Sequence, residues 1–144
     1  MKLLLVNGPN LNTLGTREPA VYGTMTLAEV VRRCRDLAGP AHTIADFQSN
    51  HEGALIDYLQ QHADAAGAII NPGGLAHTSI VLRDAVAACG FPVVEVHITD
   101  IGKREPFRHH TYLRDVTAHQ VIGKGVVGYE EALQWLLDRR DLRA

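Results

Sequence analysis

Lysine is nearly missing from this chain: Lys2, Lys103 and Lys124 stand against eleven arginines. That scarcity argues against Schiff-base chemistry, which needs a buried amine that gives up its proton, and all three lysines are poor candidates. Cysteine is as scarce. Cys34 and Cys89 lie far apart, both in helical patterns at apolar or small-residue positions. We read them as buried free thiols rather than a disulfide or a metal pair, which fits a reducing, cytoplasmic setting. Neither charge dominates, since 14 Lys plus Arg balance 16 Asp plus Glu. No basic surface is therefore expected to attract nucleic acid or anionic lipid. Long apolar runs are also lacking, and nothing approaches a membrane span. The opening MKLLLVNGPN is too short for a signal-peptide core and reads as a first strand. Eight histidines are present, but with no H-E-x-x-H or cysteine-rich spacing, so no metal is expected. With no repeat, low-complexity tract or linker, residues 1–144 read as a single domain, long enough to bury about two-thirds of its unfolded surface.

What is present alternates. The continuous apolar run Leu3, Leu4, Leu5, Val6 marks a strand covered on both faces. After a long loop over residues 8–25, Thr26 and Glu29 have capping-box spacing, and Leu27, Val30, Val31, Cys34 and Leu37 recur on one helical face until Gly39 and Pro40. HTIADFQ is a second strand. Ser49 and Glu52 repeat the capping-box spacing before a helix with Leu55, Ile56, Leu59 and Ala63 as its buried stripe. GAIIN is a third strand, Ser79 to about Ala88 a third helix, and FPVVEVHI a fourth strand. A second long loop, residues 99–117, precedes the strand HQVIG and a helix from Tyr129 to about Arg139. Five strands alternating with helices predict an α/β fold: a doubly wound, five-stranded parallel sheet of flavodoxin-like order in a three-layer α/β/α arrangement. Ligands of such sheets bind beyond the carboxyl ends of the strands, between the first and third. Asn7, Asn10, Asn71, Glu95 and His97 fall at those ends.

GKGVVG, at residues 123–128, fits G-x-G-x-x-G, yet no later strand follows to carry a ribose-binding acid. It reads as a tight strand-to-helix turn, and no dinucleotide or other cofactor is expected. In NPGGLAHTS, at residues 71–79, glycines and a helix start suit an anion, but an ordinary β-to-α turn with an N-cap fits equally. Glu95 and His97 are two apart and share one side of a buried strand, where each needs a partner. A carboxylate fixing the tautomer of an imidazole acid is one reading, and a satisfied structural pair is the other. TREPAVYG, at residues 16–23, sets Tyr22 in a loop, where a tyrosine ordinarily rests half-buried at an edge. Loops this long are commonly lids or binding segments, and arginine with tyrosine is a poor composition for disorder.

Taken together, NGPNLNTLGTREPAVYG, FQSNHEG, NPGGLAHTS, VEVHI and REPFRHHTYL resemble, in order and over nearly the whole chain, the type II dehydroquinases. The resemblance implies dehydration of 3-dehydroquinate to 3-dehydroshikimate by anti elimination through an enolate, in shikimate formation or quinate breakdown. It implies no cofactor or metal, and a homo-oligomer, commonly a dodecamer of trimers. By position, Tyr22 would take the C2 proton with Arg17 in the same lid, His97 would protonate the departing C1 hydroxyl with Glu95 orienting it, and Asn10 would help stabilise the enolate. Asn71 with the backbone of Ile98 and Thr99 would hold the carboxylate, and His77 and Arg108 the ring hydroxyls. Asp84 would reach a neighbouring subunit's site, with Arg104 near it, while Gln48 and Glu52 would act as supports behind the site. An arginine beside the phenol suits the chemistry, because guanidinium keeps its charge on burial. Thr99 and Asp100 depart from the family's common serine and asparagine, and Asp100 is expected to bring negative charge near the carboxylate pocket. The rival reading is a binding or signalling module that keeps the pocket without the chemistry. A receiver-type domain would need an acidic cluster where NGPN stands.

Overall fold

The computed structural model describes residues 1–139. Five strands, β1 (Lys2–Asn7), β2 (Thr43–Gln48), β3 (Gly67–Asn71), β4 (Val93–His97) and β5 (His119–Ile122), form one sheet in the order β2-β1-β3-β4-β5. Every pairing is parallel. This is the flavodoxin-like order expected from the alternation, with the progression of strands across the sheet reversing at β1 and β3. The helices are α1 (Pro19–Tyr22), α2 (Leu27–Ala38), α3 (Glu52–Gln61), α4 (Ile80–Ala87) and α5 (Val127–Leu137). Successive residues of β1 split between two cores: Leu3 and Leu5 pack with the cluster that holds α2 and α5 residues, Leu4 and Val6 with the one that holds α3 and α4 residues. Period-two alternation therefore feeds apolar surface to both layers. Among the described residues no helix is long and apolar enough to cross a membrane.

Local signals place most element ends. Thr26 accepts the Glu29 N–H and caps α2, and Ser79 accepts the Leu82 N–H and caps α4. The expected cap at Ser49 does not form. Ser49 Oγ instead accepts the His51 N–H at 3.0 Å, a local turn that moves the start of α3 two residues on, with His51 at the cap position. Three apolar assignments also shift. Leu37 is 40% exposed and Ala38 takes its place in the core, Ala63 lies exposed past the end of α3, and Cys89 is only partly buried. Cys34 is fully buried, and burial followed by the nearby Glu130 pushes its thiol up to about 12, so it is inert packing. GKGVVG is the tight turn expected, with Gly123 and Gly125 both at positive φ. Their N–H groups donate to the carbonyls of His97 and Ile98 at 3.1 and 3.0 Å. That turn braces the end of β4.

Candidate active site

The two long loops are not shapeless. Residues 8–25 contain a 3-10 turn at Leu11–Thr13 and the short helix α1, anchored by buried Leu11 and Leu14. Residues 99–117 contain three 3-10 turns, at Ile101–Lys103, Pro106–Arg108 and Arg114–Val116. The second loop is stitched down along its length. Tyr112 N–H donates to the Ala76 carbonyl, Arg83 donates to the Tyr112 carbonyl, and His109 Nε2 donates to the Arg104 carbonyl. Just past the ends of β1 and β3 the following segments touch. A Cβ on Gly8 would stand 2.5 Å from the Pro72 carbonyl oxygen, so only glycine fits.

Between these loops lies a cavity of about 150 Å³. Asn10, Arg17 and Tyr22 from the first loop meet Asn71 and His77 from the end of β3 and the turn after it. His97, Ile98, Thr99, Arg104 and Arg108 close it from the end of β4 and the second loop. Nine residues that the sequence marks for catalysis or substrate binding thus meet in one place, and Arg104 joins them. Gln48 lies behind the wall, its amide donating to the Gly8 carbonyl at 3.1 Å and to Asn50 at 3.2 Å; Asn50 in turn accepts the Asn10 N–H. Glu52 opens α3 outside the cavity, and among the described residues its side chain makes no hydrogen bond or ion pair that would support the site. Asp84 stands exposed on α4, away from the cavity of its own chain.

Tyr22 closes α1 with its hydroxyl 2.8 Å from the Arg104 guanidinium, which donates to it. Arg17 takes a different place. Its guanidinium carbon lies 4.9 Å from the centre of the Tyr22 ring, and it pairs at 3.5 Å with Glu18. Both arginines therefore flank the phenol, but the one at the oxygen comes from the second loop and is Arg104. The bond to Tyr22 raises the Arg104 guanidinium still further above its ordinary value, so it remains a cation. Sequence alone hides this pairing across 82 residues, and only the meeting of the two loops produces it.

The Glu95–His97 pair forms as the spacing requires, with His97 Nε2 2.6 Å from Glu95 Oε2. Glu95 has no exposed surface. Burial pushes its carboxyl up, yet the hydrogen bonds and charge of His97, with donors from Thr111 and Gln120, outweigh that and hold it below the ordinary value of 4.5. An anionic carboxylate only accepts, so Nε2 carries hydrogen and Nδ1 is the nitrogen left for a ligand. His77 is set by the same logic. Its Nδ1 lies 2.6 Å from the His110 carbonyl, which fixes hydrogen there and leaves Nε2 as an acceptor. Burial holds its imidazole below the ordinary 6.5, with the neighbouring His97 and Arg108 pushing the same way.

Asn71 is half occupied. Its Nδ2 donates to the Tyr129 hydroxyl at 2.8 Å and its Oδ1 accepts the Gly73 N–H at 3.1 Å. Tyr129 in turn donates to Asn7 Oδ1 at 2.6 Å. Burial pushes the Tyr129 phenol above its ordinary value, so this bridge stays a neutral hydroxyl. In the sequence Tyr129 marks only the start of a helix. Its apolar neighbours in α5 disguise the polar end that reaches under the site. Asp100 also corrects an expectation: its carboxylate turns away to accept the Gly102 N–H at 3.1 Å and does not line the cavity. Among the described residues no group of three or more His, Cys, Asp and Glu is placed to hold a metal ion.

The family description Dehydroquinase class II matches residues 1–137. The chain belongs to this family. It is 49% identical over 142 residues to the 3-dehydroquinate dehydratase of Janthinobacterium, covering 95% of this chain and 97% of that one. It is 48% identical over 134 residues to the catabolic 3-dehydroquinase 1 of Neosartorya fischeri, covering 92% and 89%. The crystal structure of the type II dehydroquinase from Butyrivibrio crossotus superposes with a TM-score of 0.92 at 38% identity, over 96% of this chain and 98% of that one. The cavity lies at the β1/β3 reversal, where ligands of such sheets bind.

Proposed function

We propose that this chain dehydrates 3-dehydroquinate to 3-dehydroshikimate, the step shared by shikimate formation and quinate breakdown. The observation that carries this reading is the cavity itself, which sets an arginine-held phenol on one loop against a carboxylate-held imidazole at the end of β4. Tyr22 as phenolate removes a proton from C2, and the electron pair moves into the adjacent ketone as an enolate. The enolate then expels the C1 hydroxyl, which takes the Nδ1 proton of a doubly protonated His97 and leaves as water. Arg104 assists by giving a charge-assisted hydrogen bond to the phenolate, the form of Tyr22 that accepts the proton. Asn10 faces the same cavity and supports the enolate oxygen. His77 Nε2 accepts from a ring hydroxyl and Arg108 donates to one, while Asn71, Ile98 and Thr99 line the place for the carboxylate.

Incubation with 3-dehydroquinate, followed by the ultraviolet absorbance of the conjugated enone, tests this directly. Turnover is expected, and Tyr22→Phe or His97→Ala should abolish it while circular dichroism shows the fold intact. A purified protein that binds substrate and shifts its melting temperature without forming enone would refute the reading. The chain is also proposed to assemble as a homododecamer of trimers in the cytoplasm. Support for assembly comes from Ile80 and Val81, 57% and 51% exposed on the same helix as Asp84. Two free cysteines suit a reducing compartment.

A further inference from the structure

Gln120 lies on β5 directly beside Glu95 in the register of the sheet, so the two side chains share a face. Its Nε2 donates to Glu95 Oε1. Oε2 of the same carboxylate accepts from His97 Nε2 and from Thr111 Oγ1, both at 2.6 Å. The carboxylate is therefore divided, with one oxygen serving the imidazole and the other held by an amide. An amide can turn either end toward a partner, and here its neighbours on both sides set its direction. Arg114, exposed on the last turn of the second loop, donates from Nε to Gln120 Oε1 at 3.1 Å. A guanidinium only donates, so the amide oxygen must face Arg114 and the NH₂ must face Glu95.

We infer that Gln120 is a positioning residue for the proton-donating histidine: oriented by Arg114, it locks the Glu95 carboxylate so that Oε2 stays aimed at His97 and Nδ1 stays aimed into the cavity. This rests on the reading of His97 as the acid. Without the amide, Glu95 retains Thr111 and His97, both on Oε2, and Oε1 loses the hydrogen bond that Gln120 gives it. The partner of the imidazole is then anchored at one oxygen only, and its aim at Nε2 is held less firmly.

Gln120→Met keeps length and packing but removes the donor. The expected result is a kcat lowered by about tenfold, the scale of one hydrogen bond to a charged group, with KM within about twofold of wild type. Proton NMR of the holding hydrogen bond supplies a readout independent of turnover. The downfield Nε2–H resonance of His97 should exchange with water about tenfold faster in the variant. A variant with lowered melting temperature but unchanged kcat and unchanged resonance would overturn the inference, because Gln120 would then be structural only. If Gln120→Met does not fold, the exposed Arg114→Ala decides the matter. It should lower kcat by about two- to threefold and speed the same exchange, whereas wild-type values for both would overturn the inference. Activity surviving in His97→Ala would instead remove the acid role itself, and the His97 resonance compared between wild type and Gln120→Met would still report whether Gln120 holds the pair.

Discussion

An ordinary phenol is only about one part in a thousand ionised at neutral pH, so a tyrosine that takes protons needs a permanent cation at its oxygen. Arg104 supplies one at 2.8 Å. Replacing it with lysine shortens the reach and substitutes a point charge for a planar fork. Arg104→Lys should lower kcat by about a hundredfold, the scale of one lost donor at a reacting oxygen, with substrate affinity measured by titration calorimetry changed far less. Equal losses in affinity and kcat would place Arg104 on the substrate rather than on Tyr22. His77 makes a second prediction at this scale. Its imidazole titrates below the ordinary 6.5 because burial disfavours the cation, so the neutral acceptor persists as pH falls through that value. KM should stay flat from about pH 8 to about pH 6.5 and rise only below, a dependence that His77→Ala removes while raising KM about tenfold. A KM already climbing between pH 8 and pH 7 would mean that a charged His77 leaves the binding form.

Loops and strand ends carry the site, and they differ in how far sequence reveals them. Strand ends were legible, because a polar residue closing a buried apolar run needs a partner or a ligand there: Asn7, Asn71, Glu95 and His97 all stand where the alternation puts them. The capping residues Thr26 and Ser79 were legible because a cap is a local device, read within one helical turn. Partners far apart in sequence were not. Tyr22–Arg104 and Tyr129–Asn7 join segments separated by 82 and 122 residues, and no periodicity encodes such meetings. Ser49 misled because two nearby N–H groups compete for one hydroxyl, and the local turn at His51 won. At this scale Gly8→Ala should cost about 3 kcal/mol or force the loop after β1 off the Pro72 backbone, read by chemical denaturation together with a rise in KM. Tyr129→Phe leaves Asn7 and Asn71 without their shared hydroxyl under the cavity floor. A loss of about 1 to 3 kcal/mol in stability is expected, with KM affected more than kcat.

Across the molecule, the sheet order concentrates the functional groups at one place because the β1/β3 reversal opens a gap that the two loops then roof. The same buried carboxylate that orients His97 links function to folding. Glu95 titrates below its ordinary 4.5 in the folded protein, so the stability it contributes is fully present above that value and drains away as pH falls beneath it. Melting temperature should therefore drop more steeply below pH 4.5 for wild type than for Glu95→Gln; parallel curves would show that the carboxylate gains nothing from its donors. The claim most central to the whole arrangement is that base and acid address opposite faces of one ring. Its most direct measurement uses 3-dehydroquinate deuterated stereospecifically at C2, with the product's mass read after complete turnover. Loss of the deuterium lying opposite the C1 hydroxyl, and retention of the other, is the expected result. Loss of the deuterium on the same face as that hydroxyl would contradict it.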